Sequence, residues 1–596
     1  MKPNEPATPS STSRRTFLGT VGSVAVGVGL AGCSGSAPTA DDSDRERTFQ
    51  MVGEPIQTLD PAATNDSAST TVITQLFDGL VHYPKGNIDP ELLLADDHRV
   101  SDDGTVHTFD LDPEATFSDG RSVRADDVVY SFERVAASKH SASASKLLDV
   151  LGVEHRTETV ETEDGTTERY EPGTLGVEAI DDRTVEVRLS DPFHAALGVL
   201  AYPSLSVVPK GIVGDVEGYD GEMSYSEFAT ENPVGAGPFE FETWEKDVEY
   251  AVSARDDYRG SGPYVAGIRW EVTSTPSAEY TYAINRNADA FWIPSGKFDP
   301  NLVTIETTDE KGRKVGTYGP LPENGETVQY HQIPQTWTFY LGFNAERVAK
   351  PVRQAVAYVL NQQMQVQKVH EGRGERAAHL TPPNVYPGGN SAYQSDAEEY
   401  PYGLDESRFE AARDVLADAG HGPDDPAEVT LTVYDAAAWF ETGKLLRDKL
   451  ARVGVDLSVE RAPFATIAER GRNGKLDAFS YGWVMEYPAP DSFLEILYPP
   501  SSDEQFFNWG GTPAADRAKR AWERVLSHPS ANESDRQARV EAYRQMETAN
   551  WEDVIALPVY HPVGEGFYYD WVDVPKTGAA GFSMHKYDDV RIGSRD

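Results

Sequence analysis

Apolar residues along the chain recur at two periods, and the two alternate. In "TVEVRLSDP", Val185, Val187 and Leu189 alternate with polar positions, which predicts a half-buried strand. In "RADDVVYSFERVA", Val128, Phe132 and Val135 fall on one helical face. "KPVRQAVAYVLNQQMQVQKVHEG" predicts one long helix, with Pro351 in its first turn, Gly372 closing it, and Val352, Val356 and Val359 on the buried face. Further on, "VTLTVYD" alternates Val429, Leu431 and Val433, a helix follows around "WFETGKLLRDKLARVG", and "VDLSVE" returns to strand. A strand-helix-strand unit of this kind crosses over right-handed and makes its strands parallel. The helix "FATIAERGRNG" then leads to a third apolar strand, "LDAFSYGWV", with Phe479, Tyr481 and Trp483 on one face. Ordered sequence begins near "RTFQMVGEPIQTLDPA", "TVHTFDLDPEATFSDG" predicts a strand and turn, and polar residues 155–173 predict a hairpin or surface insertion. No internal repeat is visible.

The N-terminus does not fit this pattern. Gly27, Gly29 and Gly32 satisfy G-x-G-x-x-G, but no strand precedes them and the polar "SGSAPTADDSDRER" that follows starts no helix. Instead, Arg14-Arg15 precede a short apolar stretch, Phe17 to Gly32, that ends in small residues at "LAGC". That is the layout of an export signal, and its 16 residues are fewer than the ~18 a spanning helix needs. Arg14-Arg15 before Thr16-Phe17-Leu18 resembles a twin-arginine signal, and "LAGC" resembles a lipobox. The resemblance implies a signal over 1–32, cleavage before Cys33 and lipid on its sulfur, with 33–47 as a flexible tether of Ser, Pro, Asp and Thr.

Charge narrows the class. The chain has 596 residues, and 97 acidic against 53 basic side chains give −44, spread over the whole length. A dispersed acidic surface keeps a protein hydrated in concentrated salt, where the Debye length is only about 3 Å, so the composition points to halophilic adaptation. The same charge repels nucleic acid. Cys33 is the single cysteine, so no intramolecular disulfide and no cysteine zinc site can form. Asn65-Asp66-Ser67 and Asn532-Glu533-Ser534 fit the glycan acceptor pattern.

Several blocks in order resemble the family 5 extracellular solute-binding proteins, the dipeptide- and oligopeptide-binding components of ABC importers. They are "ATFSDGRSVRADDVVYSFERV", "DRTVEVRLSDPF", "YPSLSVVPK", "NPVGAGPFEFETWEKD", "RDDYRGSGPYVAGIRW", "FNAERVAKPVRQAVAYVLNQQ" and "YGWVMEYPAPDSFL". The chain departs from the pattern at "AINRNADAF", at Asn361-Gln362, and at Glu486, where the peptide binders commonly carry Asp. The resemblance implies an α/β, two-lobed periplasmic-binding-protein-like fold with a hinge and an additional small domain in the first lobe. The expected boundaries are 48–78, 192–333 and 555–596 for a discontinuous lobe I, 79–191 for the small domain and 334–554 for lobe II. It implies capture of a di- or oligopeptide between the lobes, with a nickel complex, an opine or a sugar as the alternative solute. The expected partners are a permease and ATPase complex, and the membrane through a lipid anchor on its outer face, with the protein itself a monomer.

By the same resemblance, Glu486 pairs with a peptide ammonium. It lies just past a predicted parallel strand, and ligands bind beyond the carboxyl ends of such strands. Trp483 and Tyr487 flank it as aromatic walls for side chains, or as core. Ser67, in "TNDSAST", is a candidate for contacts to the ligand backbone. No H-E-x-x-H, G-x-S-x-G or P-loop is present, and the 13 histidines, His370 and His379 among them, lack metal-ligand spacing. Glu486 and Asp491 resemble a glycosidase pair only as any two acids of so acidic a chain would. The expectation is a binding protein, without cofactor, metal or catalytic residue. An exported hydrolase is the contrasting reading.

Overall fold

The computed structural model describes residues 47–162, 165–273 and 275–595. Arg14, Arg15, Cys33 and nearly all of the expected tether lie outside the described residues. The chain forms two compact units. Of the described residues, unit 1 holds those from 47 to Pro294, Pro320–Gln329 and 566–595, and unit 2 holds Ser295–Gly319 and Tyr330–Glu565.

In unit 1, strand β1 (Thr48–Gly53) leads through the buried Asp60 turn to helix α1 (Ser67–Leu76). Strand β2 (Gly267–Val272) runs parallel to β1, Thr48 opposite Gly267 and Gly53 opposite Val272. Helix α2 (Pro276–Ile284) follows, with Thr275 as its cap, and strand β3 (Ala290–Phe291) is parallel to β1 on the other side. The sheet continues outward through antiparallel strands Glu249–Ala254 and Phe239–Glu245. At its other edge, Ala290 and Phe291 pair with Tyr568 and Phe567. A separate antiparallel sheet takes Val106–Leu111 and Thr184–Arg188, with Val185 and Val187 fully buried as their alternation predicts. Helix Ala125–Ala137 buries Val128, Phe132 and Val135. The polar segment 155–173 forms an antiparallel hairpin of Thr157–Thr162 with Gly165–Tyr170.

Unit 2 contains the strand-helix-strand unit. Strand β4 (Trp337–Phe343) is followed by helix α3 (Lys350–Val359). Then come strand β5 (Ala427–Tyr434), helix α4 (Ala437–Leu450) and strand β6 (Val455–Ala462), with β5 and β6 parallel from Ala427 opposite Val455 to Tyr434 opposite Ala462. Helix α5 (Phe464–Arg472) leads to strand β7 (Ala478–Val484), parallel to β5 and antiparallel to β4. Strand β8 (Ala556–Tyr568) pairs with β4 through its first residues, which makes the order β6–β5–β7–β4–β8. Its last residues belong to unit 1. Leu431, Val433, Leu446, Leu450, Val455 and Leu457 share one core on this sheet. Phe479 is buried in a second core, against which Tyr481 and Trp483 pack from the same strand face.

One predicted helix is two. The run from Lys350 breaks at Leu360, which is fully buried and extended (φ −64°, ψ 133°). Asn361 restarts it as a cap, its side-chain oxygen accepting the Met364 N–H at 2.6 Å. A π-helical turn then spans Gln365–Val369 before Gly372 at φ 85°. Asn offers its side chain to nearby backbone in competition with the helix, and here that competition prevails.

Candidate functional site

Trp483, Glu486 and Tyr487 come together in unit 2, on the last turn of β7 and the loop beyond it. Ser67 lies in unit 1. The loop is shaped from its own sequence. "YPAP" cannot continue a strand, because each proline lacks the N–H a ladder needs. The chain therefore turns, with the Ala489 N–H bonded to the Tyr487 carbonyl at 2.9 Å, and enters the short helix Asp491–Leu494.

Ser492 holds the loop in place. Its hydroxyl accepts the Glu486 N–H at 2.8 Å, and its carbonyl accepts the Trp483 indole N–H at 2.6 Å. The Met485 N–H donates to the Thr336 carbonyl at 3.2 Å, which fixes the loop to the segment before β4. Ser492 was not singled out from the sequence. Its signal was its place one residue after Asp491, inside the same block as Glu486. Glu486 itself is half-buried.

Trp483 is half-buried, while Tyr487 is buried and serves the interior as much as any surface. Burial raises the Tyr487 phenol well above its ordinary pKa, and Asp491, Glu495, Tyr543 and Glu486 push it the same way. The loop is thus an acidic neighbourhood built on an aromatic floor, suited to a cation and unfavourable to an anion.

In unit 1, Ser67 is exposed in the first turn of α1. Asp66 caps the helix, accepting the Ser69 N–H at 2.7 Å, and Thr71 bonds back to the Ser67 carbonyl at 2.8 Å. The approach to this turn is anchored by Asp60, fully buried and gripped by both terminal nitrogens of Arg134 at 3.1 and 2.9 Å. Asp215 holds the other side of that guanidinium at 2.9 and 2.8 Å. Burial alone would raise the Asp215 carboxyl, but Arg134 and Ser138 hold it below its ordinary value. Asn65 and Asn532 are both exposed, and Asn532 caps a helix by accepting the Asp535 N–H at 2.9 Å. Among the described residues no group of three His, Cys, Asp or Glu side chains is arranged to hold a metal ion. Nor is any helix among them long and apolar enough to cross a membrane.

Solved structures place this α/β fold with the two-lobed periplasmic-binding-protein-like proteins. HbpA2 from Haemophilus parasuis superposes with a TM-score of 0.72 at 20% identity, covering 92% of this chain and 100% of that one. The model of the bacterial extracellular solute-binding proteins, family 5, matches residues 89–505, and the chain belongs to that family. It is 24% identical to the dipeptide-binding protein of Escherichia coli over 395 residues, 65% of this chain and 66% of the relative. It is also 24% identical to the periplasmic oligopeptide-binding protein OppA of Salmonella typhimurium over 568 residues, 92% of this chain and 94% of the relative.

Proposed function

We propose that the protein is the peptide receptor of an ABC importer, held at the outer face of the cytoplasmic membrane by lipid on Cys33. It passes its ligand to a permease and ATPase complex. The observation that carries this reading is the Glu486 loop, a carboxylate beyond the carboxyl end of a parallel strand, fixed by Ser492 and set among further acids. The names of the relatives support peptides as the ligand class. In this reading Glu486 takes the ligand's α-ammonium, Trp483 and Tyr487 support the side chains nearest it, and Ser67 serves the ligand backbone. A charge-assisted hydrogen bond in a half-buried site survives salt that would screen a surface pair, and the charge of −44 suits such salt. Capture and release need no chemical step. Export rests on Arg14-Arg15. In the proposed domain plan 79–191 is the small domain of lobe I and lobe II is built on 334–554, to which unit 2 adds Ser295–Gly319 and the flanking residues out to Tyr330 and Glu565.

The test is mass spectrometry of what co-purifies at high salt, followed by calorimetry. Intact peptides should be recovered, and Glu486→Gln should weaken free-amine peptides by roughly 1.5–3 kcal/mol while leaving N-acetylated ones unchanged. Recovery of a non-peptide solute, or of cleaved peptides, overturns the reading. Labelling with a lipid precursor checks the anchor: Cys33→Ser should lose the label.

A further inference from the structure

The carboxyl ends of the three neighbouring parallel strands of unit 1 gather acids that the Glu486 reading does not use. Glu54 is the first residue past β1, and Trp292 the first past β3. Glu279 sits in the first turn of α2, the helix that follows β2, and Asp66 caps α1. Tyr250 packs behind them, stacked on Trp270 at 5.1 Å, its hydroxyl donating to the Glu54 carbonyl at 3.2 Å. Gly53 makes that approach possible, because a Cβ there would stand 2.3 Å from the hydroxyl.

Two carboxylate oxygens in this group are buried and have no hydrogen-bond partner: Oε2 of Glu279, a residue only 7% exposed, and Oδ2 of Asp66. A buried acceptor left unmade is costly, so a chain keeps one where something else completes it. The Trp292 indole stands beside the Glu279 carboxylate, where it favours the ionised form, and is itself half-buried, as are Glu54 and Asp66. Glu279 is thus the most deeply buried of the four, and Glu54, Asp66 and Trp292 lie nearer the surface. The charges acting on these acids are other acids: Asp66 on Glu54, and Glu54 on Glu279. Burial, with Glu54 adding to it, pushes Glu279 up to about 7.

We propose that Glu54, Asp66 and Glu279, with the face of Trp292, form a subsite that receives the cationic head of a ligand side chain, a guanidinium or an alkylammonium. Such a head satisfies carboxylate oxygens by charge-assisted hydrogen bonds and lies against an indole by cation–π attraction. The carboxylates are not grouped to chelate a metal. The proposal rests on the peptide reading only for the molecule that carries the cation, and it makes basic peptides the preferred substrates.

The experiment compares tripeptides carrying arginine at the first, second or third position with their citrulline isosteres, which keep the shape and lose the charge. The protein should prefer arginine at one position by about tenfold or more. Glu279→Gln should erase most of that preference while keeping its affinity for the citrulline peptide, which also shows that the variant is folded. Trp292→Leu should reduce the preference in the same direction. Equal affinity for arginine and citrulline at every position overturns the subsite and leaves the peptide reading standing. If neither series binds, the peptide reading falls and a titration with agmatine decides the subsite. Binding that Glu279→Gln abolishes supports it, and no binding overturns it.

Discussion

Arg373 and Glu565 form an ion pair inside unit 2, the carboxylate almost wholly buried and the guanidinium nearly so. The Tyr330 hydroxyl donates to the other oxygen of Glu565 at 2.5 Å, and Arg373 reaches the Ser295 hydroxyl at 3.2 Å and lies over the Phe298 ring. Ser295 and Tyr330 are the residues at which the chain enters unit 2, and Glu565 is the last before it leaves. The Arg373–Glu565 pair thus ties together three of the four chain crossings at their unit 2 ends.

Removing that arginine leaves a buried charge without its partner. Arg373→Met should cost about 3–5 kcal/mol in urea unfolding near neutral pH. Burial already raises the Glu565 carboxyl, and without Arg373 it rises further. A raised acid costs stability as pH climbs through its folded value, so the loss should be smaller at pH 5 than at pH 7.5. Adding Glu565→Gln should restore part of the stability. A double variant no better than the single one would show that the pair is not the cause.

Ser492→Ala takes away the acceptor of the Glu486 N–H and leaves the Trp483 bond, which uses the Ser492 carbonyl. The expected stability loss is about 1 kcal/mol. The loop loosens, and peptide affinity should fall several-fold even though Ser492 is buried and its own side chain faces the loop backbone. Calorimetry of the variant reads both effects, and unchanged affinity would remove the loop's rigidity from the account.

Arg134 carries two carboxylates, Asp60 and Asp215. Arg134→Met leaves both facing each other without the cation, at a cost of about 3–5 kcal/mol. Amide hydrogen exchange should rise first across residues 58–70, the turn Asp60 anchors. Uniform loss of protection over the whole chain instead would mean that Arg134 supports the fold at large and not this turn.

Glu547 sits in the interior of unit 2, its two oxygens accepting the Leu380 and Thr381 N–H groups at 3.1 and 2.9 Å. Burial nonetheless pushes it up to about 7, while burial lowers the neighbouring His379 to about 3, so the imidazole stays neutral and provides no counter-charge. The stability of this group is fully present below pH 4.5 and is lost as pH rises through about 7. Glu547→Gln removes the titration. The stability difference between wild type and variant should therefore shift against the wild type by a few kcal/mol, about 1.4 for each unit of pKa displacement, between pH 5 and pH 7.5. A difference that does not change with pH would count against an ionising Glu547.

Much of the fold could be read from local pattern. β5, α4 and β6 follow from alternation, helical period and alternation again, and their parallel pairing follows from chain handedness. Val128, Phe132 and Val135 are buried because a 3.6-residue period leaves them no other common face. Phe479, Tyr481 and Trp483 share one face for the corresponding period-two reason. The family could be read from ordered blocks, and Glu486 became a candidate through that resemblance together with its place after a strand. In each case the information is short-range, or it is an order along the chain.

The rest depended on what lies far away in sequence. Asn361 is a local signal for a break after Leu360, but an asparagine can also stay inside a helix, and it is the full burial of Leu360 in extended backbone that leaves Asn361 to cap a second helix. Ser492 gains its role only when the loop closes on it. Tyr487 could be read from the sequence as a wall or as core; the structure buries it, with Asp491 and Tyr543 near enough to raise its phenol. Glu54, Asp66 and Glu279 are more than 200 residues apart at their extremes and meet only because β1, β2 and β3 lie side by side with their carboxyl ends together. A local pattern determines which face of an element is buried, because that is set by backbone geometry. Which charges meet is set by the order of strands in the sheet, and that was decided by the tertiary structure alone.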